Sequence, residues 1–358
     1  MNLGKNIEDG SDFIIDTKSF LSTHTFLQGI TGSAKTGALL LMLQELRSEK
    51  IREKFGYIPV VIADEQDEFL DVPFTFSDFV VIEKESDYGK LMTVENARKL
   101  GESVRQAGSG GRSVILKLSD FKGAKMEEFL AEFITGFRIK DRQYWSPCVF
   151  VIDEADIFAP RIGHSKSREP IVDLCRRGRK EGISVILSTQ NSYSVHMDAR
   201  SPCTNRIVGN TAETSHRNAC AEMLGLTKDE GKKLWGMKKG EFFIRAEFTD
   251  YQLVHVQLNE AIIKPPPIGI SRKPKDFVKD STNALTVKRK PKDISVIDAL
   301  ESKISDLMAE NELLRKNQLT ESKRKEMIES GYDKGFEACK KLQNDESIEK
   351  KFRKVLGI

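Results

Sequence analysis

The sequence predicts an α/β fold built on a mainly parallel sheet, with helices covering both faces. Up to residue 263, short β-branched runs alternate with longer segments of helical periodicity. Most of these runs are apolar along their whole length, as expected for strands that are buried on both faces and joined by crossover helices. In addition, a glycine-rich turn joins one apolar run directly to a helical segment at residues 29–37.

The individual elements follow from local patterns. The predicted strands are runs rich in β-branched and aromatic residues, at 25–28, 59–63, 79–82, 113–118, 148–152, 184–188 and 206–209. The predicted helices have apolar residues at helical spacing, at 37–49, 94–107, 125–137 and 170–181. Two further strands, at 241–245 and 252–257, are expected to form an antiparallel pair at the edge of the sheet. Three prolines at 265–267 end this domain, which is predicted to span residues 1–263.

The composition is that of a folded domain without a disulfide framework. Of the 358 residues, 39% are hydrophobic and 31% are charged, so a sizeable core and a well-solvated surface are both expected. The longest apolar run, residues 38–43, is too short to cross a bilayer, and the first residues lack the apolar segment of a signal peptide. Five scattered cysteines without a C-x-x-C pair predict reduced thiols. A cytoplasmic protein without membrane insertion is therefore expected.

The glycine-rich turn has the pattern of a phosphate-binding loop. Glycines let backbone N–H groups converge on phosphate oxygens, and the following helix presents its positive N-terminus to the same anion. Lys35 is expected to reach the β- and γ-phosphates of a nucleotide, and Thr36 to ligate Mg²⁺ through its hydroxyl. The predicted nucleotide-contacting residues are Gly29, Ile30, Thr31, Gly32, Ser33, Ala34, Lys35, Thr36 and Gly37. The alternative is an ordinary glycine turn.

One position departs from the usual G-x-x-x-x-G-K-[ST] pattern, because Ala34 stands where the second glycine is expected. A methyl group is tolerated there if the backbone has negative φ, although it limits how closely the loop can approach the phosphate. The neighbouring Gly32 is expected to compensate.

An acidic pair follows the strand predicted at 148–152. Four apolar residues precede Asp153 and Glu154, which describes a buried strand opening onto the edge of a site. Asp153 is expected to hold Mg²⁺ through water, and Glu154 to orient and deprotonate the attacking water. The structural alternative is an N-cap for the next helix.

Two further polar positions have candidate catalytic roles. Gln190 follows the strand predicted at 184–188, where its amide can sense the γ-phosphate or position water. Arg176 and Arg179 lie in a basic segment before that strand and can act as arginine fingers on the nucleotide of a neighbouring subunit, which requires a ring. The alternative is a solvated basic helix end, since cations are favourable at a helix C-terminus. Room for a single core argues against a two-core helicase.

The remaining residues are predicted to form three segments. Residues 264–293 read as a basic, proline-rich linker, with nine basic and two acidic residues in 264–292. Residues 294–320 have heptads with Ile297, Ile304 and Asn311 at one core position and Leu300, Leu307 and Leu314 at the other, which predicts a short dimeric coiled coil. A lone amphipathic helix packed on the body is the alternative. Residues 321–358 read as a charged helical tail.

These motifs together resemble the HerA–FtsK superfamily of ring-forming, DNA-pumping P-loop ATPases, and the HerA-like branch most. The resemblance covers residues 13–258 and rests on seven segments in order: T-H at 23–24, G-I-T-G-S-A-K-T at 29–36, V-V-I-A-D-E-Q-D-E-F at 60–69, D-E-A-D-I-F-A-P at 153–160, R-G-R-K-E-G at 177–182, S-T-Q at 188–190 and K-G-E-F-F at 239–243. About 20 residues precede this core, so a minimal form without the N-terminal β-barrel of HerA is expected.

The resemblance implies a RecA-like core that assembles into a homo-hexamer, with ATP and Mg²⁺ between subunits and double-stranded DNA in the central channel. It also implies an arginine supplied in trans, for which Arg176 and Arg179 are the matching positions. A bacterial, archaeal or virus- or mobile-element-encoded motor that packages or transfers DNA is expected. Basic loops at 122–125 and 164–168 are candidates for phosphate contacts. The alternative is an ATPase that powers protein secretion or virion assembly, with its coiled coil docking a partner protein.

Overall fold

The structure, a computed structural model, describes residues 1–84, 92–108 and 112–262. The chain divides into two units, Met1–Ile268 and Gly269–Ile358, and all the described residues lie in the first. The predicted linker (264–293), coiled coil (294–320) and charged tail (321–358) lie outside the described residues.

The described residues form one sheet of eleven strands. Seven of them are parallel: β3 (Thr25–Gln28), β4 (Val60–Asp64), β5 (Phe79–Ile82), β6 (Ser113–Lys117), β7 (Cys148–Ile152), β8 (Ile183–Thr189) and β9 (Asn205–Val208). Four continue the sheet in antiparallel fashion: β1 (Asn2–Asn6), β2 (Asp12–Ile14), β10 (Glu241–Arg245) and β11 (Leu253–Leu258). The spatial order is β2-β1-β11-β10-β9-β3-β8-β7-β4-β6-β5.

The parallel strands define the two edges used below. The carboxyl edge is where β3, β8, β7 and β4 end, and these four strands are neighbours in the sheet. The amino edge is where the same strands begin. Every residue of β8 is buried, and this strand is hydrogen-bonded to β3 on one side and to β7 on the other. Ligand sites of open α/β sheets form beyond the carboxyl ends of the strands.

Helices cover both faces of the sheet. They are α1 (Thr17–Ser22), α2 (Lys35–Leu46), α3 (Glu49–Phe55), α4 (Val72–Thr75), α5 (Val94–Gly108), α6 (Ala124–Phe137), α7 (Ala155–Phe158), α8 (Arg168–Arg177), α9 (Met197–Arg200) and α10 (Thr214–Leu224). One apolar core contains α2 and the N-terminal residues, and the other contains α5, α6, α8 and α10. Because each parallel strand contributes to both cores, it reads as a continuous apolar run.

The predicted strands all exist, within one or two residues of their predicted bounds. Two expectations about the sheet are wrong. The β10–β11 hairpin is not at the edge, because β11 pairs with β1, and β1 in turn pairs with β2. The first residues are therefore part of the sheet rather than a lead into it. The helix predicted at 37–49 corresponds to α2, which begins two residues earlier and ends at Leu46, and α3 follows from Glu49. The helix predicted at 170–181 ends at Arg177 and continues as the 3₁₀ turn Gly178–Glu181.

Candidate functional site

The loop between β3 and α2 is anchored on both sides at the carboxyl edge. The backbone N–H of Gly29 donates to the carbonyl of Thr189 at the end of β8 (3.3 Å). The N–H of Ile30 donates to the carbonyl of Asn210, beyond β9 (3.1 Å). The loop thus continues its own strand and is fixed by the two flanking strands, so its position is set by the sheet.

Two glycines give this loop its tight curvature. A Cβ on Gly29 would lie 2.2 Å from the Oγ of Ser33, so any other residue there would force the Ser33 side chain to move. Gly32 has φ +84°, in the left-handed region that glycine adopts without steric cost. The Ser33 hydroxyl inside this curl is buried and has no hydrogen-bond partner among the described residues.

Ala34 is in the left-handed region, with φ 75° and ψ 27°. The condition under which a methyl group would be tolerated here without strain, a negative φ, is therefore not met. A left-handed conformation costs an L-residue about 1–2 kcal/mol, because Cβ approaches the carbonyl oxygen. The loop therefore keeps the backbone geometry that a glycine would provide, and the alanine methyl group strains it.

Lys35 is buried and lies between the two acids that follow β7. Its Nζ is 3.1 Å from Asp153 Oδ1 and 3.0 Å from Glu154 Oε1. Burial disfavours the ammonium form, but the two carboxylates more than offset that effect, so the pKa of Lys35 is raised. The structure thus brings together the three residues that the sequence predicted as phosphate-binding, metal-binding and catalytic.

Glu154 has a second partner, Gln190, which directly follows β8. The Gln190 side-chain amide donates to Glu154 Oε1 (2.7 Å), and the Thr31 hydroxyl donates to Gln190 Oε1 (2.6 Å). Glu154 itself has φ 47°, in the left-handed region, at the junction of β7 and α7. Such backbone positions persist where surrounding contacts fix them, and they cluster at functional sites. Gln190 therefore connects the phosphate loop to the carboxylate expected to activate water.

Thr36 also has an acidic partner, contributed by the turn after β4. The Thr36 hydroxyl donates to Glu68 Oε2. Burial raises the pKa of Glu68, the hydrogen bond from Thr36 lowers it, and the nearby Asp153 carboxylate raises it further. Asp64, at the end of β4, accepts from the N–H groups of Glu68 (3.1 Å) and Phe69 (3.0 Å). Burial, together with the charge of Asp153, raises the pKa of Asp64 to about 7 in spite of these two bonds.

The residues present fit a magnesium nucleotide. The first N–H groups of α2 have no carbonyl four residues earlier within the helix, so they are available to an anion, and Lys35 adds a cation. The partnerless Ser33 hydroxyl faces the same curl. Within the described residues, no three acidic, histidine or cysteine side chains are grouped so as to hold a metal ion by themselves. A magnesium ion here would therefore need nucleotide phosphates among its ligands, which is its usual mode of binding.

The two candidate arginines lie away from this site. Arg176, near the end of α8, pairs with Asp198 (3.0 Å), and both side chains are about half exposed. Arg179 is exposed in the turn that precedes β8. The pKa of His24 is lowered mainly by burial, and the nearby charge of Arg179 lowers it further. Since β8 begins at the amino edge, this turn and the phosphate loop are at opposite edges of the sheet. Among the described residues, neither arginine contacts the Lys35 site.

The turn that carries Arg179 is held firmly to the body of the domain. The Glu181 carboxylate accepts two hydrogen bonds from the Arg138 guanidinium (2.6 and 3.0 Å). The Glu181 carbonyl accepts from the buried Arg105 (2.7 Å), which also donates to the carbonyl of Ser146 (3.1 Å). This anchoring fixes the backbone beside Arg179 while leaving its side chain exposed.

Both predicted basic loops follow strands that end at the carboxyl edge. Lys122 and Lys125 are exposed after β6. In the loop after β7, Lys166 is also exposed, but its Nζ is 2.9 Å from Glu128 Oε2. The positive charge of Lys166 is thus partly neutralised by Glu128, which leaves the loop at 122–125 as the stronger candidate for phosphate contacts.

Sequence reasoning assigned no role to Glu68, Asn210 or Gly240, all of which support the phosphate loop. The N–H of Gly240 donates to the Ser33 carbonyl (3.2 Å). Glu68 and Gly240 lie in two of the segments that carry the family resemblance, 60–69 and 239–243, but neither residue was predicted to belong to the site. No local signal could have identified these contacts, because each joins residues from distant parts of the chain.

Comparisons with known proteins agree with this description. No family model matches the chain. The chain is 26% identical over 106 residues to "Probable helicase MJ1565" of Methanocaldococcus jannaschii, a match that covers 29% of this chain and 21% of that protein. The chain therefore matches only about a fifth of the length of this curated relative.

Two solved structures are similar to this chain. The structure of VirB4 of Thermoanaerobacter pseudethanolicus matches with a TM-score of 0.50 and 15% identity, over 73% of this chain and 97% of that one. The genome packaging NTPase B204 of Sulfolobus turreted icosahedral virus 2, in complex with ATP-gammaS, matches with a TM-score of 0.45 and 13% identity, over 68% of this chain and 99% of that one. The predicted α/β fold with a mainly parallel, RecA-like sheet is confirmed.

In the part of the chain that the structure describes, no helix is long and apolar enough to cross a bilayer.

Proposed function

We propose that this chain, with its HerA–FtsK-type fold, is an ATP hydrolase that works as a ring and moves double-stranded DNA. The observation that carries the proposal is the contact of Lys35 with both Asp153 and Glu154, with Gln190 bonded to the second acid. A phosphate-binding cation, a metal-binding acid and a candidate general base meet at one buried point. A protein that only binds nucleotide has no need of the last two.

Each residue has a distinct role in this proposal. Lys35 leaves the two carboxylates and binds the β- and γ-phosphates of ATP, which frees Glu154 to accept a proton from the attacking water. Thr36 and Asp153 hold Mg²⁺, which when bound neutralises phosphate charge and orients the γ-phosphate. Gln190 positions water or senses the γ-phosphate.

The ring completes the site in this proposal. Arg176 and Arg179 are at the amino edge, too far to reach the nucleotide bound by their own chain, so they act on the nucleotide of a neighbouring copy. A homo-hexamer is the assembly that the resemblance favours.

DNA is the proposed cargo on two grounds. The curated relative with partial sequence similarity is a probable helicase. Exposed lysines at Lys122 and Lys125 lie at the carboxyl edge, where they can contact phosphates without reading sequence. Coordinated pulling on the DNA backbone needs contacts of this kind.

The decisive experiment measures ATP hydrolysis against increasing duplex DNA. We expect DNA to stimulate the wild-type rate, and Glu154→Gln to lower that rate about 10²–10⁴-fold while ATP still binds, because general-base catalysis contributes that much. Glu169→Gln, at an exposed position on α8, is the control and should hydrolyse ATP like the wild type.

Hydrolysis that is indifferent to DNA would overturn the translocase proposal and leave an ATPase. The alternative predicted from the heptads would then gain support if deletion of residues 294–318 abolished capture of a partner protein while hydrolysis persisted. ATP binding without turnover in an assembled ring would overturn the hydrolase proposal itself.

A further inference from the structure

The contact between Thr36 and Glu68 has a direction that bears on metal binding. A threonine hydroxyl has one proton to donate and two lone pairs to offer. In this structure the proton is directed to Glu68 Oε2. Both lone pairs of Thr36 Oγ1 are then left for other partners. A carboxylate in this position prepares the hydroxyl as an oxygen ligand for a cation.

Glu68 is held so that it can make this contact. Its backbone N–H and that of Phe69 are both bound by the carboxylate of Asp64, and the Phe69 side chain is fully buried. On its other side, Asp67 has φ 61°, and its carboxylate accepts from the Ser119 hydroxyl (2.5 Å). The turn after β4 is thus pinned at three successive residues. The Glu68 side chain extends from a fixed backbone to the start of α2.

The local charge also favours a cation at this point. Lys35 is engaged by Asp153 and Glu154, so its single positive charge is already shared between two carboxylates. Glu68 adds a third negative charge, which its hydrogen bond to a neutral hydroxyl does not neutralise. When Lys35 turns to the phosphates, these carboxylates lose their internal counter-ion. A divalent cation beside Thr36 would restore the balance.

We propose that Glu68 is a magnesium-positioning residue that acts through Thr36. It orients the Thr36 hydroxyl, by accepting its proton, and contributes negative charge behind the ligand oxygen. Outer partners of this kind are known to tune metal affinity. The proposal rests on the proposed function, since it concerns the magnesium that accompanies the nucleotide.

The test separates metal affinity from nucleotide affinity. Binding of a fluorescent, non-hydrolysable ATP analogue is measured without metal and then across a Mg²⁺ titration. For Glu68→Gln, which keeps the shape of the side chain, we expect the half-saturating Mg²⁺ concentration to rise about tenfold or more. Metal-free analogue should bind as tightly as in the wild type or more tightly, because a negative charge near the phosphates is gone.

The matched control is Glu65→Gln. It removes the same charge from the same turn, and the acid is not bonded to Thr36 in the structure. Its Mg²⁺ half-saturation should stay within about twofold of the wild type, because the contact with the Thr36 hydroxyl is made by Glu68. Equal shifts for the two variants, or no shift for Glu68→Gln, would overturn the proposal.

A double-mutant cycle tests the route through Thr36. In the Thr36→Ala background, Glu68→Gln should cause no further rise in the half-saturating Mg²⁺ concentration. A full, additive rise would mean that Glu68 acts on the metal without Thr36. If the wild-type protein binds no analogue at all, the proposed function fails. If the wild-type protein binds the analogue with Mg²⁺ and Glu68→Gln has the same half-saturating Mg²⁺ concentration as the wild type, this inference fails and the proposed function stands.

Discussion

The two edges of the parallel strands differ in how their functional side chains are satisfied. At the carboxyl edge, Lys35, Thr36 and Gln190 each have an acidic partner within the chain. At the amino edge, Arg179 is exposed and Arg176 makes only a half-exposed ion pair with Asp198. The carboxyl edge is a connected network of hydrogen bonds and ion pairs. The amino edge presents arginine side chains that are exposed or half exposed.

This difference indicates which half of the proposed site each edge supplies. The carboxyl edge can bind and position a nucleotide with residues that are already in contact. The amino edge has a fixed backbone, anchored through Glu181. Within the described part of the chain, Arg176 makes only the half-exposed ion pair with Asp198, and the Arg179 side chain is exposed. A neighbouring nucleotide would provide an anionic ligand for these arginines.

The largest expected effect comes from inactivating the proposed contributions of the two edges in separate variants. The double variant Arg176→Ala with Arg179→Ala should lose about 10³-fold or more of its ATP hydrolysis rate, because an arginine supplied to the nucleotide of a neighbour contributes that much. Glu154→Gln should also be inactive. Mixing these two inactive proteins should restore part of the rate, since some interfaces then pair an intact Glu154 with intact arginines.

Lys180→Ala is the control for that experiment, since it removes an exposed positive charge beside Arg179. It should leave hydrolysis close to the wild-type rate. A double arginine variant that is fully active would contradict the proposal that the two edges supply different parts of one site. A mixture that recovers no ATP hydrolysis would contradict it as well.

The amino edge also predicts a pH effect on stability, through His24 at the start of β3. Burial, with a contribution from the charge of Arg179, lowers the pKa of His24 from 6.5 to about 4. Between these values the unfolded chain binds the proton and the folded protein does not, so stability falls as the pH drops. We expect a loss of about 2 kcal/mol in the free energy of unfolding between pH 7 and pH 5 from this group.

His24→Asn removes the titration while keeping an acceptor for the N–H of Val185, which His24 Nδ1 binds at 3.0 Å. Denaturant unfolding at the two pH values should therefore show a smaller pH-dependent loss for the variant. Identical losses for the two proteins would place the pH sensitivity elsewhere.

The smallest effect concerns strain within the carboxyl edge. Ala34→Gly should raise the free energy of unfolding by about 1 kcal/mol, because glycine relieves the left-handed strain but has more freedom in the unfolded chain. The opposite change in the same loop is Gly32→Ala, where φ is +84° and a Cβ would meet no neighbour within 4 Å. It should lower stability by about the same amount.

Denaturant titration of both variants measures these changes in the free energy of unfolding. Binding of a fluorescent nucleotide shows whether relief of the strain also raises the affinity for nucleotide. If Ala34→Gly is no more stable than the wild type, the strain at this position is compensated by the surrounding loop.

The parallel part of the fold was predictable, because strands buried on both faces produce continuous apolar runs. The bounds of β3, β5 and β7 were predicted to the residue for that reason. The strands β1 and β2 were missed because they are only partly buried and lack a continuous apolar run. In addition, β1 pairs with a strand some 250 residues away. Their placement depends on tertiary pairing, which local pattern does not encode.

The residues of the site were predictable and their contacts were not. Lys35, Asp153, Glu154 and Gln190 follow strands at one edge of the sheet, so their convergence is a consequence of parallel topology. The partnership of Thr36 with Glu68 depends on the course of the turn after β4, and the left-handed φ of Ala34 depends on how the loop is anchored. Both are properties of the assembled fold.

The central strand β8 has a mechanical consequence. It begins just after the turn that carries Arg179 and ends just before Gln190, and its seven residues cover about 23 Å. It is buried throughout and hydrogen-bonded to β3 on one side and to β7 on the other, which restricts its stretching and bending. We therefore expect β8 to move as a rigid link, so that a displacement of the turn at Arg179 would reach Gln190 and, through its hydrogen bond, Glu154.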